Sequence, residues 1–477
     1  MLPGRIGVLS LLLVFPVARG GAQAVLAPVR YEVGAELDYG SEMLRGTTRL
    51  VLENRSATPV RQASLLLYRL LHVGTVRDDS GRALRYTQRV VAFTDFGQLQ
   101  VNQIVVALPQ PLAPGRRTTL RLEYSGYLLG YAETGMAYVQ DHIDTAFTIL
   151  RDDAWAFPRP GLPSIASLRS TPPWSYSYAV RITVPRGLSV VNGGRLDGVD
   201  TLPNGLTFRF SNLRPVGRMD FAIAKYRQLS TGVIRIFFLP GDDEGAAGVA
   251  KAGSAALDLL TRWFGPPGST SVLTFIEIPD GWGSQSDGPT VIQAAAAFRD
   301  PRRYREVYHE LSHMWNVPST DRPSPRWEEG LASFLEYLVA EKITGVATVD
   351  AHANQVMERL RGELPGNPAW RQTPLVDYGR KGSTDLSYRV GALFFDLLYR
   401  LEGEEAFNRI LRQYGSDFAA KGGSTGDLVK VINQVSAASV TSLIDDWLYT
   451  AHWTDRIQAS PDIQALVAHY RSVSPHR

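Results

Sequence analysis

The sequence predicts a multidomain α+β chain: an N-terminal β-sandwich-like domain followed by a mixed unit with a helical C-terminal part. Three observations predict it. Residues 31–226 read as short alternating or β-branched runs separated by turn clusters. Past residue 226, strand-like runs enclose a long segment of helical periodicity. From about residue 300, apolar residues recur at helical spacing to the end. The expected boundaries are 1–24, 25–227 and 228–477.

Segment 1–24 reads as a secretory signal. Arg5 gives a weak positive region, 8–17 is almost wholly apolar, and Ala22-Gln23-Ala24 is a small-x-small cleavage site. An uncleaved anchor is the alternative. The apolar run is short for a bilayer and no later run is longer, so no stable membrane insertion is expected. The expected location is periplasmic or extracellular. Cysteine is absent, which excludes disulfides, thiol nucleophiles and thiolate metal ligands. An apolar content of 44% fits a globular chain, and a net charge of +3 without a basic run gives no footprint for nucleic acid.

Strand-like runs of the first domain include 48–52, 103–108, 118–124 and 176–184. The clusters Asn54-Arg55-Ser56, 78–81, 111–115 and Asn192-Gly193-Gly194 break them. A Pro-rich interval, 157–173, is expected to cross between two groups of strands. Repeated short strands of this kind suggest a sandwich. The second unit opens with a strand at 233–239, a helix at about 244–264 and a strand at 272–278. A Gly-rich loop at 280–288 leads to an expected Ala-rich strand at 291–298.

The chemistry is concentrated in Tyr308-His309-Glu310-Leu311-Ser312-His313-Met314-Trp315. On an α-helix, residues four apart are offset by roughly 40° and about 6 Å, so His309 and His313 share a face. Two imidazoles so placed can bind one zinc ion, and Glu310 can then take a proton from the water the metal activates. Val307, Leu311, Met314 and Trp315 form an apolar stripe on another side. The five-residue motif alone also fits a solvated or core-capping histidine pair. Its context favours metal: Pro318, Pro323 and Pro325 end the helix, and a second helix is expected from near Ser324. That helix buries Leu331, Phe334, Leu335 and Leu338, with Glu329, Ser333 and Glu336 on another face. A carboxylate there can complete a His₂Glu site and leave a fourth position open.

His309-Glu310-Leu311-Ser312-His313-Met314-Trp315 followed by Trp327-Glu328-Glu329-Gly330-Leu331-Ala332-Ser333 resembles the aminopeptidase N family of gluzincins, with its H-E-L-x-H-x-W and W-x-x-E-G-x-A-S motifs. The resemblance implies a thermolysin-like zinc metallopeptidase domain with one zinc per chain and a peptide substrate. It makes Glu329, the residue before the glycine, the third ligand rather than Glu328. Tyr388-Arg389-Val390-Gly391 is similar to the family's Y-x-K-G, which implies that Tyr388 donates a hydrogen bond to the oxyanion. The segments 31–71, 189–193 and 443–447 and the pair Phe157-Pro158 also resemble family landmarks. By the same resemblance, 291–297 would be the edge strand that pairs with substrate.

Several departures stand against this pattern. Trp327 lies one residue nearer the glutamate, and Glu328 stands where the family has Asn. The spacing from His313 to Glu329 is about three residues shorter, and the family's C-terminal helical domain has no counterpart. The G-x-M-E-N motif, whose glutamate grips a free N-terminal ammonium, aligns with Gly283-Ser284-Gln285-Ser286-Asp287. Asp287 and Gln285 are therefore the candidates for substrate binding. His313-Met314-Trp315-Asn316-Val317 is also similar to the glycyl aminopeptidase family. The reading is an exported zinc-dependent aminopeptidase; its alternatives are an endopeptidase of the same clan and a zinc-binding protein without turnover. The remaining histidines have no partner at ligand spacing. Oligomeric state is not legible.

Overall fold

The structure, a computed structural model, describes residues 26–130, 140, 142–171, 174–212, 214–268, 272–436 and 440–473. The signal expected at 1–24 lies outside the described residues.

Alternation organises the first half of the chain. Along Met43–Glu53, every second side chain from Leu44 to Leu52 is buried, which gives a strand one face for a core and one for solvent. Among the described residues this strand lies in a seven-stranded sheet, ordered Arg195–Leu202, Gly205–Ser211, Ser177–Val184, Ala27–Asp38, Met43–Glu53, Arg117–Tyr127 and Leu71–Arg77. A four-stranded sheet runs Tyr86–Phe93, Phe96–Leu112, Val60–Tyr68 and Arg159–Pro160. Tyr31, Leu50, Leu120 and Val180 of the first share one core with Leu65, Leu67, Val101 and Ile104 of the second. This is sheet-on-sheet packing. The Pro-rich interval contributes Arg159–Pro160 to the smaller sheet and a short helix, Ile165–Ser170, capped by Ser164.

The second unit is built on a five-stranded sheet ordered Arg227–Thr231, Ile234–Phe238, Leu273–Ile278, Thr290–Ala294 and Gln285–Asp287. Helix Asp243–Phe264 covers it, burying Ala246, Val249, Ala256 and Leu260 in the core that also takes Val307, Leu311 and Leu335. A smaller apolar cluster ties the two halves together. Phe147, Ile149, Val191 and Ala222 of the first half pack there with Ile276, Ile278, Trp282 and Ile292 of the second.

The structure corrects one expectation here. The run 291–298 is not a single edge strand. It divides into Thr290–Ala294 and a short helix, Ala296–Arg299. The strand is flanked on both sides, because Gln285–Asp287 folds back and pairs antiparallel with it. The hairpin turns on Gly288-Pro289, with Gly288 at φ +57°, a left-handed conformation that suits glycine at the first corner of a two-residue turn. Among the described residues, the edge on this side of the sheet is therefore Gln285–Asp287.

Candidate metal centre

Helix Tyr304–Ser312 carries His309 and Glu310, and a 3₁₀ turn, His313–Trp315, continues it. Val307 and Leu311 anchor it in the core. The helix that carries Glu329 starts at Trp327 rather than near Ser324 and runs to Thr344. Trp327 packs on Phe395 and Tyr414. Tyr388 sits in a single π turn, Ser387–Gly391, ahead of helix Ala392–Phe418.

Two glycines let these elements touch. A Cβ on Gly330 would lie 2.5 Å from both the Gly391 Cα and the Ser387 carbonyl oxygen. Only bare backbone on both sides permits that approach, which brings the turn bearing Tyr388 against the first turn bearing Glu329.

The ligand set converges. One donor atom from each of His309, His313 and Glu329 lies within 4.8 Å of the others. Glu329 Oε2 is 3.5 Å from His309 Nε2 and 3.4 Å from His313 Nε2. Ligands bonded at about 2.0–2.1 Å to a tetrahedral ion stand about 3.4 Å apart. The three residues therefore fit a zinc ion, and the donor set, two imidazoles and one carboxylate, suits its chemistry. The far nitrogens are held as well. Glu336 Oε2 lies 3.4 Å from His309 Nδ1 and is itself paired with Arg305. The Asn316 amide Nδ2 lies 2.7 Å from His313 Nδ1. Such outer contacts fix the ring orientation that points Nε2 at a metal.

The charges are tuned by these contacts. Burial opposes ionisation of Glu329, yet His309, His313 and Arg326 outweigh it and hold its carboxyl far below the usual range. Burial also disfavours a charged His309, but hydrogen bonds to Glu329 and Glu336 push it up to about 10. Glu310 is raised by burial, against the pull of His309 and His313. A raised carboxyl is a stronger base once ionised, as proton transfer requires. Tyr388 is held protonated, chiefly by burial and then by Glu329. Its ring stacks at 8° on that of His309, with centroids 6.1 Å apart.

The edge strand alternates across the cleft. Gln285 and Asp287 face the N-terminal half: Gln285 accepts from Arg151 Nη2 at 2.7 Å and donates to Asp220 Oδ2 at 3.0 Å. Asp287 accepts from the backbone N–H of Arg218 at 3.2 Å. Ser286 points the other way and hydrogen-bonds Glu310. A cavity of about 800 Å³ lies beside the ligand set rather than around it, with Ser286, Met314 and Asn316 in its wall.

Sequence reasoning missed Ser286, Asn316 and Arg326. Helical spacing by itself places Glu336 only on the face of Glu329. Its seven-residue offset from Glu329, two helical turns, was the available signal for a shared site.

Residues 292–447 match the peptidase family M1 domain, a span that includes the three candidate ligands, Glu310 and Tyr388. Aminopeptidase A of Gloydius brevicauda is 21% identical over 463 residues, covering 88% of this chain and 46% of its own length. Aminopeptidase M1-D of Oryza sativa subsp. japonica is 22% identical over 234 residues, 45% of this chain and 26% of its own. The chain thus spans less than half the length of these curated relatives. Among solved structures, an M1 zinc metallopeptidase of Deinococcus radiodurans superposes with a TM-score of 0.63 at 20% identity, over 93% of this chain and 94% of that one. A mutant of it bound to Tyr-Ser-Ala gives 0.65 at 21% identity, over 89% and 94%. At that identity the likeness speaks for the fold, a β-rich N-terminal part joined to a helical C-terminal part. The segment that holds both zinc-helix motifs thus matches the peptidase family M1 domain, in line with the resemblance to the aminopeptidase N family.

Proposed function

We propose that the chain is an exported, zinc-dependent peptidase that cleaves peptides from a free N-terminus. The observation that carries this reading is the convergence of His309 Nε2, His313 Nε2 and Glu329 Oε2 on one point beside Glu310 and Tyr388. Those three residues would hold the zinc, which when bound supplies Lewis-acid polarisation of the scissile carbonyl and acidifies a water to a pKa of about 7. Glu310 accepts the proton from the attacking water and returns it to the leaving amine. Tyr388, held protonated, donates its hydroxyl to the oxygen that gains charge. Strand Gln285–Asp287, which among the described residues lies at an end of its sheet, would offer N–H and C=O groups to an extended substrate backbone.

The aminopeptidase relatives and the neighbour that binds Tyr-Ser-Ala support the peptide substrate and the N-terminal mode. Asp287 and Gln285 are the acidic and amide groups proposed for the substrate ammonium. One observation favours an endopeptidase as the second reading: both side chains already bond to the N-terminal half. Export rests on the pattern of segment 1–24, and the lack of cysteine is compatible with it. Among the described residues, no helix is long and apolar enough to cross a membrane.

Metal analysis tests the core of the proposal. About one zinc per chain is expected, and none in the H309A/H313A double variant, which lacks two of the three ligands. Full zinc retention by that variant would refute the site.

A further inference from the structure

Arg326 stands immediately before the glutamate helix in a left-handed conformation, φ +57° and ψ +36°. A non-glycine residue is strained there relative to its ordinary backbone, so its side chain invites an explanation. The guanidinium is half-buried and reaches into the metal centre. One nitrogen, Nη2, donates to Glu329 Oε1 and also to the Tyr388 hydroxyl oxygen at 3.0 Å. Its Cζ lies 5.5 Å from the Tyr388 ring centroid. The backbone is fixed from both sides: Arg326 N–H donates to Ser324 Oγ at 3.1 Å, and its carbonyl accepts from Glu329 N–H at 3.1 Å.

Each contact has a consequence. With Oε1 engaged by the guanidinium, Oε2 alone faces the two histidine nitrogens, 3.5 and 3.4 Å away. The carboxylate is thereby held as a one-oxygen ligand. The Tyr388 oxygen, as acceptor from Nη2, has its own hydrogen left to donate. Glu329 is within that hydroxyl's reach. By engaging Oε1, Nη2 competes with the hydroxyl for the carboxylate, which favours donation of the hydroxyl's hydrogen to a group in the cleft. A fixed positive charge beside a phenol also strengthens it as a donor to a developing oxyanion.

We infer that Arg326 is a positioning residue that sets Glu329 as a one-oxygen zinc ligand and aims the Tyr388 hydroxyl at the oxyanion. The inference rests on the peptidase reading above, and its test separates the two. R326G is the main variant, because glycine relaxes the left-handed backbone while deleting the guanidinium. R326K is the second; it keeps a charge but not the planar fork. The readouts are zinc affinity by chelator competition, and kcat and KM on one peptide, with a double cycle against Y388F.

The expected result for R326G is a zinc affinity lower by about 10–100-fold, the range for lost outer-shell contacts. Its kcat should fall by about 10–100-fold with KM nearly unchanged, with partial recovery in R326K. The R326G/Y388F pair should be little worse than Y388F alone, since Arg326 acts through that hydroxyl. Unchanged zinc affinity and kcat in R326G would overturn the inference, as would fully additive losses in the double variant. An active wild type and an impaired Y388F would leave the peptidase reading standing in either case.

Discussion

Replacing Gly330 with alanine tests whether the close crossing of the glutamate helix and the Tyr388 turn assembles the site. The added Cβ would meet the Gly391 Cα at 2.5 Å, the Ser387 oxygen at 2.5 Å and the Gly391 carbonyl carbon at 2.6 Å. All three are backbone atoms and cannot rotate away. Restoring ordinary contact needs a separation of about 1 Å, and overpacking of that kind costs about 1–3 kcal/mol. Helix propensity acts in the opposite direction, since alanine is better than glycine in a helix by about 1 kcal/mol. Gly362 provides the control: it lies in helix Val349–Glu363, and its added Cβ would meet nothing within 4 Å. G362A should therefore be neutral or more stable by up to about 1 kcal/mol, and G330A should fall below it by about 1–3 kcal/mol in urea unfolding. The same shift moves Tyr388 away from Glu329, and a misplacement of about 1 Å can lower kcat by about 100-fold. G391A is milder, with its nearest contact at 3.1 Å. Equal stability changes in G330A and G362A, with kcat unchanged, would refute the crossing as the device that builds the site.

Two further outcomes are expected. E336A frees His309 Nδ1 and removes its Arg305-paired carboxylate, so zinc affinity measured by chelator competition should fall by about 10–100-fold; unchanged affinity would remove Glu336 from the centre. Acetylating the N-terminus of a peptide substrate should lower kcat/KM by about 10–100-fold if a carboxylate grips the ammonium through a charge-assisted bond of about 1.5–3 kcal/mol. Equal values would favour the endopeptidase reading and leave the zinc centre intact.

What the sequence made legible follows the range of the interactions. Alternation and turn clusters announced the sandwich because each strand carries its own burial pattern. His309, Glu310 and His313 were legible for a similar reason: helical spacing fixes their relation within one turn. Glu329 and Tyr388 needed the family resemblance, since their approach depends on the Gly330–Gly391 crossing, a tertiary event. The edge strand was misplaced although its signal was present. Asp287-Gly288-Pro289 is a hairpin turn, and a strand folded back there had to cover Thr290–Ala294. Once the hairpin is drawn, alternation sends Ser286 toward Glu310 and its two neighbours toward the N-terminal half. Arg326 was illegible because its partner Tyr388 is 62 residues away and its own backbone is left-handed.

The central claim is that Glu310 is the proton-accepting base of a zinc peptidase. Its most direct test is to measure zinc content and peptide hydrolysis on the same preparation of E310Q. The amide keeps the size and shape of the side chain, and none of the three ligand residues is altered. The expected result is about one zinc per chain, as in the wild type, with kcat lower by ~10²–10⁴-fold because the amide cannot accept the proton of the attacking water. Hydrolysis near the wild-type rate by zinc-loaded E310Q would contradict the account.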